Sequence, residues 1–183
     1  MSTISIVVAI TLFSMPAAAQ NVSPIFRHSS SCLESCGGHY KLGEHTLINL
    51  IVAWLTRNFE ALAVDGRHPE VLFIPSDRMA SLRNRAREMR GWRKVIAFYD
   101  YDKQTIYLSD DWNGQTAADF SILVHEMVHH LQTLANTPFP CPEAQEQLAF
   151  QAQEKWLEQF DSSLSKAFQI DPLTLKIATT CPL

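Results

Sequence analysis

The sequence predicts an α+β fold. Two observations support this prediction: apolar residues recur at helical spacing in several segments, and short apolar runs bounded by turn residues are typical of strands. In chain order the predicted elements are helix, strand, helix, hairpin, helix and helix, an order typical of α+β domains. With 183 residues, of which 46% are hydrophobic, the chain is long enough for one domain with its own core.

The first 19 residues are predicted to be a signal peptide, which leaves residues 20–183 as a single domain. Ile4–Phe13 is an apolar run too short to span a bilayer, and a proline and three alanines follow it before Gln20. Small residues in those places are what signal peptidase accepts. We therefore expect an exported protein, periplasmic or secreted, without a stable membrane anchor after cleavage.

The first half of the domain is predicted to contain two helices and one strand. Apolar residues three, four or seven positions apart predict a helix over Glu44–Ala63. The apolar run Val71–Ile74, closed by a proline, predicts a buried strand. A polar helix is then expected from Ser76 or Asp77 to about Arg90, because a glycine follows at its end.

The second half is predicted to contain a hairpin and two helices. Lys94–Tyr101 and Gln104–Leu108 are predicted strands around a two-residue turn. A helix capped by Thr116 should run to about Leu134, with Asp119 completing the weaker form of a capping box. The last predicted helix, Pro142–Phe168, is long and carries an apolar stripe.

The composition excludes some classes of function. There are 15 Lys and Arg against 19 Asp and Glu, for a net charge of -4. A dedicated nucleic-acid-binding protein needs clustered basic residues. The densest basic stretch, between Arg83 and Lys94, is interrupted by Glu88 and is interpreted as a solvated helix face. We therefore expect no nucleic-acid partner, and the sequence indicates no oligomeric state.

The four cysteines favour disulfides. An even number in an exported chain suggests two bridges, and four cysteines allow three connectivities. A zinc knuckle is the alternative, but Cys32 and Cys36 have no matching pair of ligands elsewhere. We favour a Cys141–Cys181 bridge that ties the C-terminal tail to the middle of the chain, with Cys32–Cys36 as a local clip.

The helix from Thr116 carries a metal-binding motif, His125-Glu126-Met-Val-His129. Side chains four residues apart lie about 40° apart around a helix, so both imidazoles can share one ion. Glu126 can reach a metal-bound water and act as its general base. The neighbouring residues are mostly apolar, so these polar groups should be buried and need partners, which a Zn²⁺ ion would supply.

A zinc hydrolase also needs a third protein ligand. No further histidine follows His129 at metzincin spacing, so we look to the glutamates of the next helix. Glu146 is favoured because it lies where that helix becomes apolar. Glu143, at the exposed start of the helix, is the alternative, and Glu154 is expected at the surface.

Two segments carry a family resemblance. Residues 123–132, LVHEMVHHLQ, resemble the active helix of zincin-like metallopeptidases, and residues 146–157 resemble the second helix of small exported bacterial members of unassigned function. The resemblance covers about residues 95–160. It implies a short mixed or antiparallel sheet packed on the active helix, a second long helix, and, as in gluzincins, a glutamate of that helix as metal ligand. It also implies an edge strand that holds an extended peptide, for which the candidate is Gln104–Leu108.

The resemblance thus implies an exported zinc metallopeptidase that acts on a peptide or protein through a Glu126-activated, zinc-bound water. The alternative is a non-catalytic exported zinc-binding or interaction protein on the same scaffold. Zincin peptidases place a Tyr or His donor at the oxyanion, yet all tyrosines precede the active helix, including Tyr99, Tyr101 and Tyr107. His130 is rotated about 100° from His129, so it should face elsewhere and is expected either to support the ligands or to lie at the surface.

Overall fold

The computed structural model describes residues 40–41, 45–79 and 96–182. The strands are β1 (Tyr40–Lys41), β2 (Glu70–Ile74), β3 (Ala97–Asp100) and β4 (Thr105–Ser109). The helices are α1 (His45–Asn58), α2 (Ala117–Leu134), α3 (Pro142–Glu158), α4 (Leu164–Phe168) and α5 (Pro172–Thr179), and a 3-10 turn covers Glu60–Leu62. The protein is α+β, as predicted.

Several predictions fall outside the described residues. The signal peptide, residues 1–19, and the Cys32–Cys36 clip both lie there. Residues 76–79 are helical, in agreement with the start predicted for the second helix, while its remainder lies outside the described residues. These three predictions therefore stay predictions.

The strands form one mixed sheet in the order β1-β2-β4-β3. β2 and β4 are parallel, and the β1–β2 and β3–β4 pairs are antiparallel. The β3–β4 pair is the predicted hairpin, in which Phe98 lies opposite Tyr107. Helix α2 packs against β3 on one side and against α3 on the other.

The prediction that Gln104–Leu108 is the edge strand is wrong. β4 is central, because β2 pairs with one of its edges and β3 with the other. The parallel pairing from Glu70–Thr105 to Ile74–Ser109 joins segments far apart in the chain, so no local pattern in β4 could reveal it. Among the described strands, β3 is the one at the edge beside β4.

Helix α2 begins as the sequence predicts. The Thr116 side chain accepts a hydrogen bond from the backbone N–H of Asp119, and the Asp119 carboxylate accepts one from the backbone N–H of Thr116. The pair satisfies donors that a helix leaves free at its start. The helix is buried from Phe120 to Gln132 because the sheet and α3 cover it, so its polar residues must find partners inside the protein.

The predicted helix Pro142–Phe168 is wrong in extent. α3 ends at Glu158, and Asp161 adopts a left-handed conformation with φ 52°. Ser163 then caps α4 by accepting a hydrogen bond from the N–H of Lys166. Serine and aspartate favour such caps over helix interiors because their side chains compete for backbone N–H groups.

Glu154 also differs from its prediction as a surface residue. Its side chain is half-buried, and its Oε2 atom accepts a hydrogen bond of 2.6 Å from the N–H of Leu164. Helix α5, which the sequence did not predict, is capped by Asp171. Glu154 therefore helps to fold the chain back along α3.

The Cys141–Cys181 disulfide is confirmed. Cys141 is the N-cap residue of α3, and Cys181 follows α5 near the end of the chain. The bridge closes a loop with a sequence separation of 40 residues. It therefore fixes the first turn of α3 to the C-terminal segment.

Replacing Cys141 and Cys181 together by serine should lower the free energy of unfolding by about 3 to 4 kcal/mol, because the open chain regains the entropy that closure of this loop removes. Urea denaturation under oxidising conditions measures the loss. Wild type in reductant should unfold at the midpoint of the double variant, and an unchanged midpoint in both would contradict the prediction. Reductant added to the variant separates any contribution of Cys32 and Cys36.

Candidate metal centre

Helices α2 and α3 bring together the three predicted ligands His125, His129 and Glu146, called here the His-His-Glu cluster. One ligand atom from each lies within 4.8 Å of the others, and all three side chains are buried. The group could hold a metal ion. Glu143, the alternative ligand, lies outside this cluster.

The separations of the donor atoms fit one small cation. The two Nε2 atoms lie 3.3 Å apart. Glu146 Oε2 lies 3.1 Å from Nε2 of His125, and Glu146 Oε1 lies 3.5 Å from Nε2 of His129. A tetrahedral cation with bonds of about 2.0 Å holds its ligands about 3.3 Å apart. The separations are thus those expected for three of the four donors of a tetrahedral site, here two imidazoles and a carboxylate.

Burial and charge have opposite effects on the pKa values of the cluster. Burial lowers the pKa of His129, but the charge of Glu146 and the hydrogen bond with it outweigh burial and raise the pKa above its usual value. Burial likewise raises the pKa of Glu146, and the charge of His129 with the histidine hydrogen bonds outweighs it and lowers the pKa. The opposite charges of the imidazole and the carboxylate thus favour their close approach.

Glu126 lies beside the cluster and carries an unsatisfied oxygen. Its side chain is only 3% exposed, and its carboxylate accepts a hydrogen bond from the backbone N–H of Tyr99. Its Oε2 atom is buried and has no hydrogen-bond partner within the described part of the chain. Burial raises the pKa of Glu126. A buried carboxylate oxygen without a partner is costly. A further group that donates a hydrogen bond to this oxygen would lower that cost.

Sequence reasoning missed two glutamines that contact the histidines. Oε1 of Gln153 lies 3.1 Å from Nδ1 of His125, and Oε1 of Gln132 lies 3.1 Å from Nδ1 of His129. Their spacing offered a signal, since Gln132 is three residues after His129 and Gln153 is seven after Glu146. Residues at these spacings share a helix face.

His130 faces away from the cluster, as its position on the helix predicts, but it does not lie at the surface. Its side chain is 1% exposed and contacts Tyr99 and the backbone of Arg67. Its Nε2 donates to the Arg67 carbonyl at 2.7 Å, and its Nδ1 therefore accepts from the Tyr99 hydroxyl at 3.1 Å. Burial lowers the pKa of His130. The neutral imidazole joins β3 to α2.

A tyrosine does border the cluster, although every tyrosine precedes the active helix. The ring centroids of Tyr101 and His129 lie 6.1 Å apart, and those of Tyr99 and Tyr101 lie 4.9 Å apart. Tyr101, which directly follows β3, is therefore brought beside the cluster by the packing of β3 against α2. Position in the chain is no guide to which tyrosine borders it.

Residues 42–183 match a protein family described as a domain of unknown function, DUF6647. The chain belongs to the DUF6647 family. The region that matches DUF6647 contains the whole His-His-Glu cluster, Glu126 and both cysteines of the confirmed disulfide. No curated protein and no solved structure matches the chain. Among the described helices of this DUF6647 protein, none is both long and apolar enough to cross a membrane.

If the cluster holds a metal ion, replacing Glu146 by glutamine should abolish tight binding of Zn²⁺, used here as the probe, whereas the same change at Glu143 should leave the affinity unchanged. The first substitution removes the anionic donor of the cluster, and the second lies outside it. We expect a loss of more than roughly 100-fold at Glu146, beyond the range typical of residues that only support a ligand. Calorimetric titration with Zn²⁺ measures both affinities. Equal losses in the two variants, or a larger one at Glu143, would contradict the assignment.

Proposed function

We propose that this protein is an exported, zinc-dependent metallopeptidase with a zincin-like fold. The observation that carries the proposal is the convergence of His125, His129 and Glu146 beside the unpartnered Oε2 atom of Glu126. Two imidazoles and one carboxylate are the donor set of many catalytic zinc sites. The resemblance of residues 123–132 to the active helix of zincin-like enzymes supports the same conclusion.

The chemistry of the donors fits zinc. Nitrogen and carboxylate oxygen are ligands that Zn²⁺ accepts in tetrahedral sites, and the donor separations match its bond lengths. A bound Zn²⁺ ion would supply a Lewis acid that acidifies water and polarises a carbonyl. His125, His129 and Glu146 would hold it.

Glu126 is proposed to move the proton. Its Tyr99 hydrogen bond fixes the carboxylate, and its other oxygen is left to accept a proton from the attacking water. The protonated side chain then gives the proton to the leaving amine. Burial raises the pKa of Glu126, which makes its carboxylate a stronger base toward that water.

The edge of β3 that faces away from β4, with which no other described strand pairs, is proposed to hold the peptide. The carbonyl of Ile96 accepts a hydrogen bond from the N–H of Ser109 in β4, so the alternate residues Ala97 and Tyr99 direct their backbone groups away from β4. The Tyr99 N–H reaches Glu126 there. An extended peptide added to this edge would lie next to the general base.

Export is proposed on two grounds. The first 19 residues have the pattern of a signal peptide, and the Cys141–Cys181 bridge is compatible with an oxidising compartment. A peptide or protein outside the cytoplasm is then the proposed substrate.

A second function is favoured by one observation, the near-complete burial of the cluster. His125 is 3% exposed, and His129 and Glu146 are 0% exposed. A metal in so closed a position could act as a clamp between α2 and α3 and support a non-catalytic binding protein. This alternative predicts a large loss of melting temperature on chelation and no hydrolysis.

Glu126→Gln should separate the two functions. The variant should bind zinc like wild type, because Glu126 lies outside the His-His-Glu cluster, and its cleavage of a peptide library should fall by about 10²–10⁴-fold, the contribution of general acid-base catalysis. Mass spectrometry of the cleaved library and zinc analysis of both proteins provide the measurement.

The matched control is Glu143→Gln, which should cleave like wild type. Zinc-loaded wild type and Glu126→Gln that cleave equally would overturn the role of Glu126. Absence of cleavage in wild type, together with loss of melting temperature on chelation, would favour the clamp.

A further inference from the structure

We propose that Gln132 and Gln153 are positioning residues that fix both histidines as their Nδ1–H tautomers, so that the Nε2 lone pairs face the cation. The inference rests on the zinc site of the proposed function but does not require peptidase activity. It follows from two hydrogen-bonded chains in which each proton position is determined by a backbone carbonyl at the outer end.

The first chain runs from α3 to His129. The Nε2 group of Gln132 donates to the backbone carbonyl of Gln145 at 3.0 Å. A carbonyl can only accept, so the amide must present its nitrogen there and its oxygen to the ring. Oε1 of Gln132 faces Nδ1 of His129 at 3.1 Å. Nδ1 therefore carries the hydrogen, and the Nε2 lone pair is directed toward the cluster.

The second chain has one more member. The hydroxyl of Ser121 donates to the carbonyl of Ala118 at 2.7 Å, so its oxygen accepts from Nε2 of Gln153 at 3.1 Å. The amide oxygen then faces Nδ1 of His125 at 3.1 Å. This histidine, too, must donate from Nδ1 and keep its Nε2 lone pair for the cation.

Burial keeps both chains in place. Gln132, Gln153 and Ser121 are all buried, so water cannot readily replace a lost partner. Both supporting groups are neutral amides, whereas many metal-binding histidines are supported by carboxylates. The negative charge among the ligands is then that of Glu146 alone.

The outer ends of the chains differ in a way that can be tested. A carboxylate in place of Gln153 still accepts from His125, and the Ser121 hydroxyl can rotate to donate to the second oxygen. A carboxylate in place of Gln132 would direct an oxygen at the carbonyl of Gln145, which cannot reorient. Glutamate should therefore replace glutamine at position 153 and fail at position 132.

The experiment compares zinc affinities by chelator competition. Gln132→Leu and Gln153→Leu should each bind Zn²⁺ about 10–100-fold more weakly than wild type. Gln153→Glu should bind at least as tightly as wild type, and Gln132→Glu should bind as weakly as Gln132→Leu. Gln151 lies on the exposed face of α3, the helix that carries Gln153. Gln151→Leu is therefore the matched control and should bind Zn²⁺ like wild type.

A second readout does not depend on affinity. In the zinc-loaded protein with ¹⁵N-labelled histidine, NMR should show both imidazoles as Nδ1–H tautomers with slowly exchanging ring protons. In Gln153→Leu the His125 ring proton, whose acceptor is lost, should exchange faster, and that of His129 should not.

Folded leucine variants with wild-type affinity and exchange would overturn the inference, and so would equal rescue by glutamate at both positions. Wild type that binds zinc but cleaves no peptide would overturn the proposed peptidase and leave the glutamine chains intact. Wild type that binds no zinc would overturn both.

Discussion

The structure depends on one constraint: ionisable groups are buried in the contact between α2 and α3 and must be satisfied there. His125, His129 and Glu146 lie where apolar side chains could be buried at lower cost, because burying an uncompensated charge costs several kcal/mol. The cluster avoids that cost only when the two helices hold one relative position. The contact therefore constrains the relative position of α2 and α3 as well as the identity of the residues in it.

The rest of the fold maintains that position. Tyr99 of β3 is attached twice to α2, through its hydroxyl to His130 and through its N–H to Glu126. Glu154 of α3 accepts from the first residue of α4. The sheet thus holds α2 in position, and the C-terminal segment is attached to α3.

The features that depend on interactions between residues close in the chain could be predicted from the sequence. The capped helix with its His-Glu-x-x-His motif, and the choice of Glu146 by the apolar residues that follow it, needed only helical periodicity. The edge strand could not be predicted, because the pairing of Val71 with Ile106 joins distant segments. The predicted extent of the last helix was wrong because the cap at Ser163 starts a new helix, although the apolar stripe continues beyond it.

The roles of the two glutamines could not be predicted from the sequence, because they depend on contacts between residues far apart in the chain. Gln132 and Gln153 have ordinary positions on two helices, and their partners include the backbone of Gln145 and the side chain of Ser121. A pattern of residue types cannot specify which carbonyl an amide will meet. Polar support of buried ligands is thus the part of a site that sequence reasoning finds last.

The disulfide at Cys141 has a consequence for ion capture. Helix ends fray within the first turn, and Glu146 lies only five residues beyond this cross-linked N-cap. The bridge therefore limits fraying of the segment that carries Glu146. Oxidation of the two cysteines would thus reduce the entropy that a metal ion, if bound at the cluster, would have to remove.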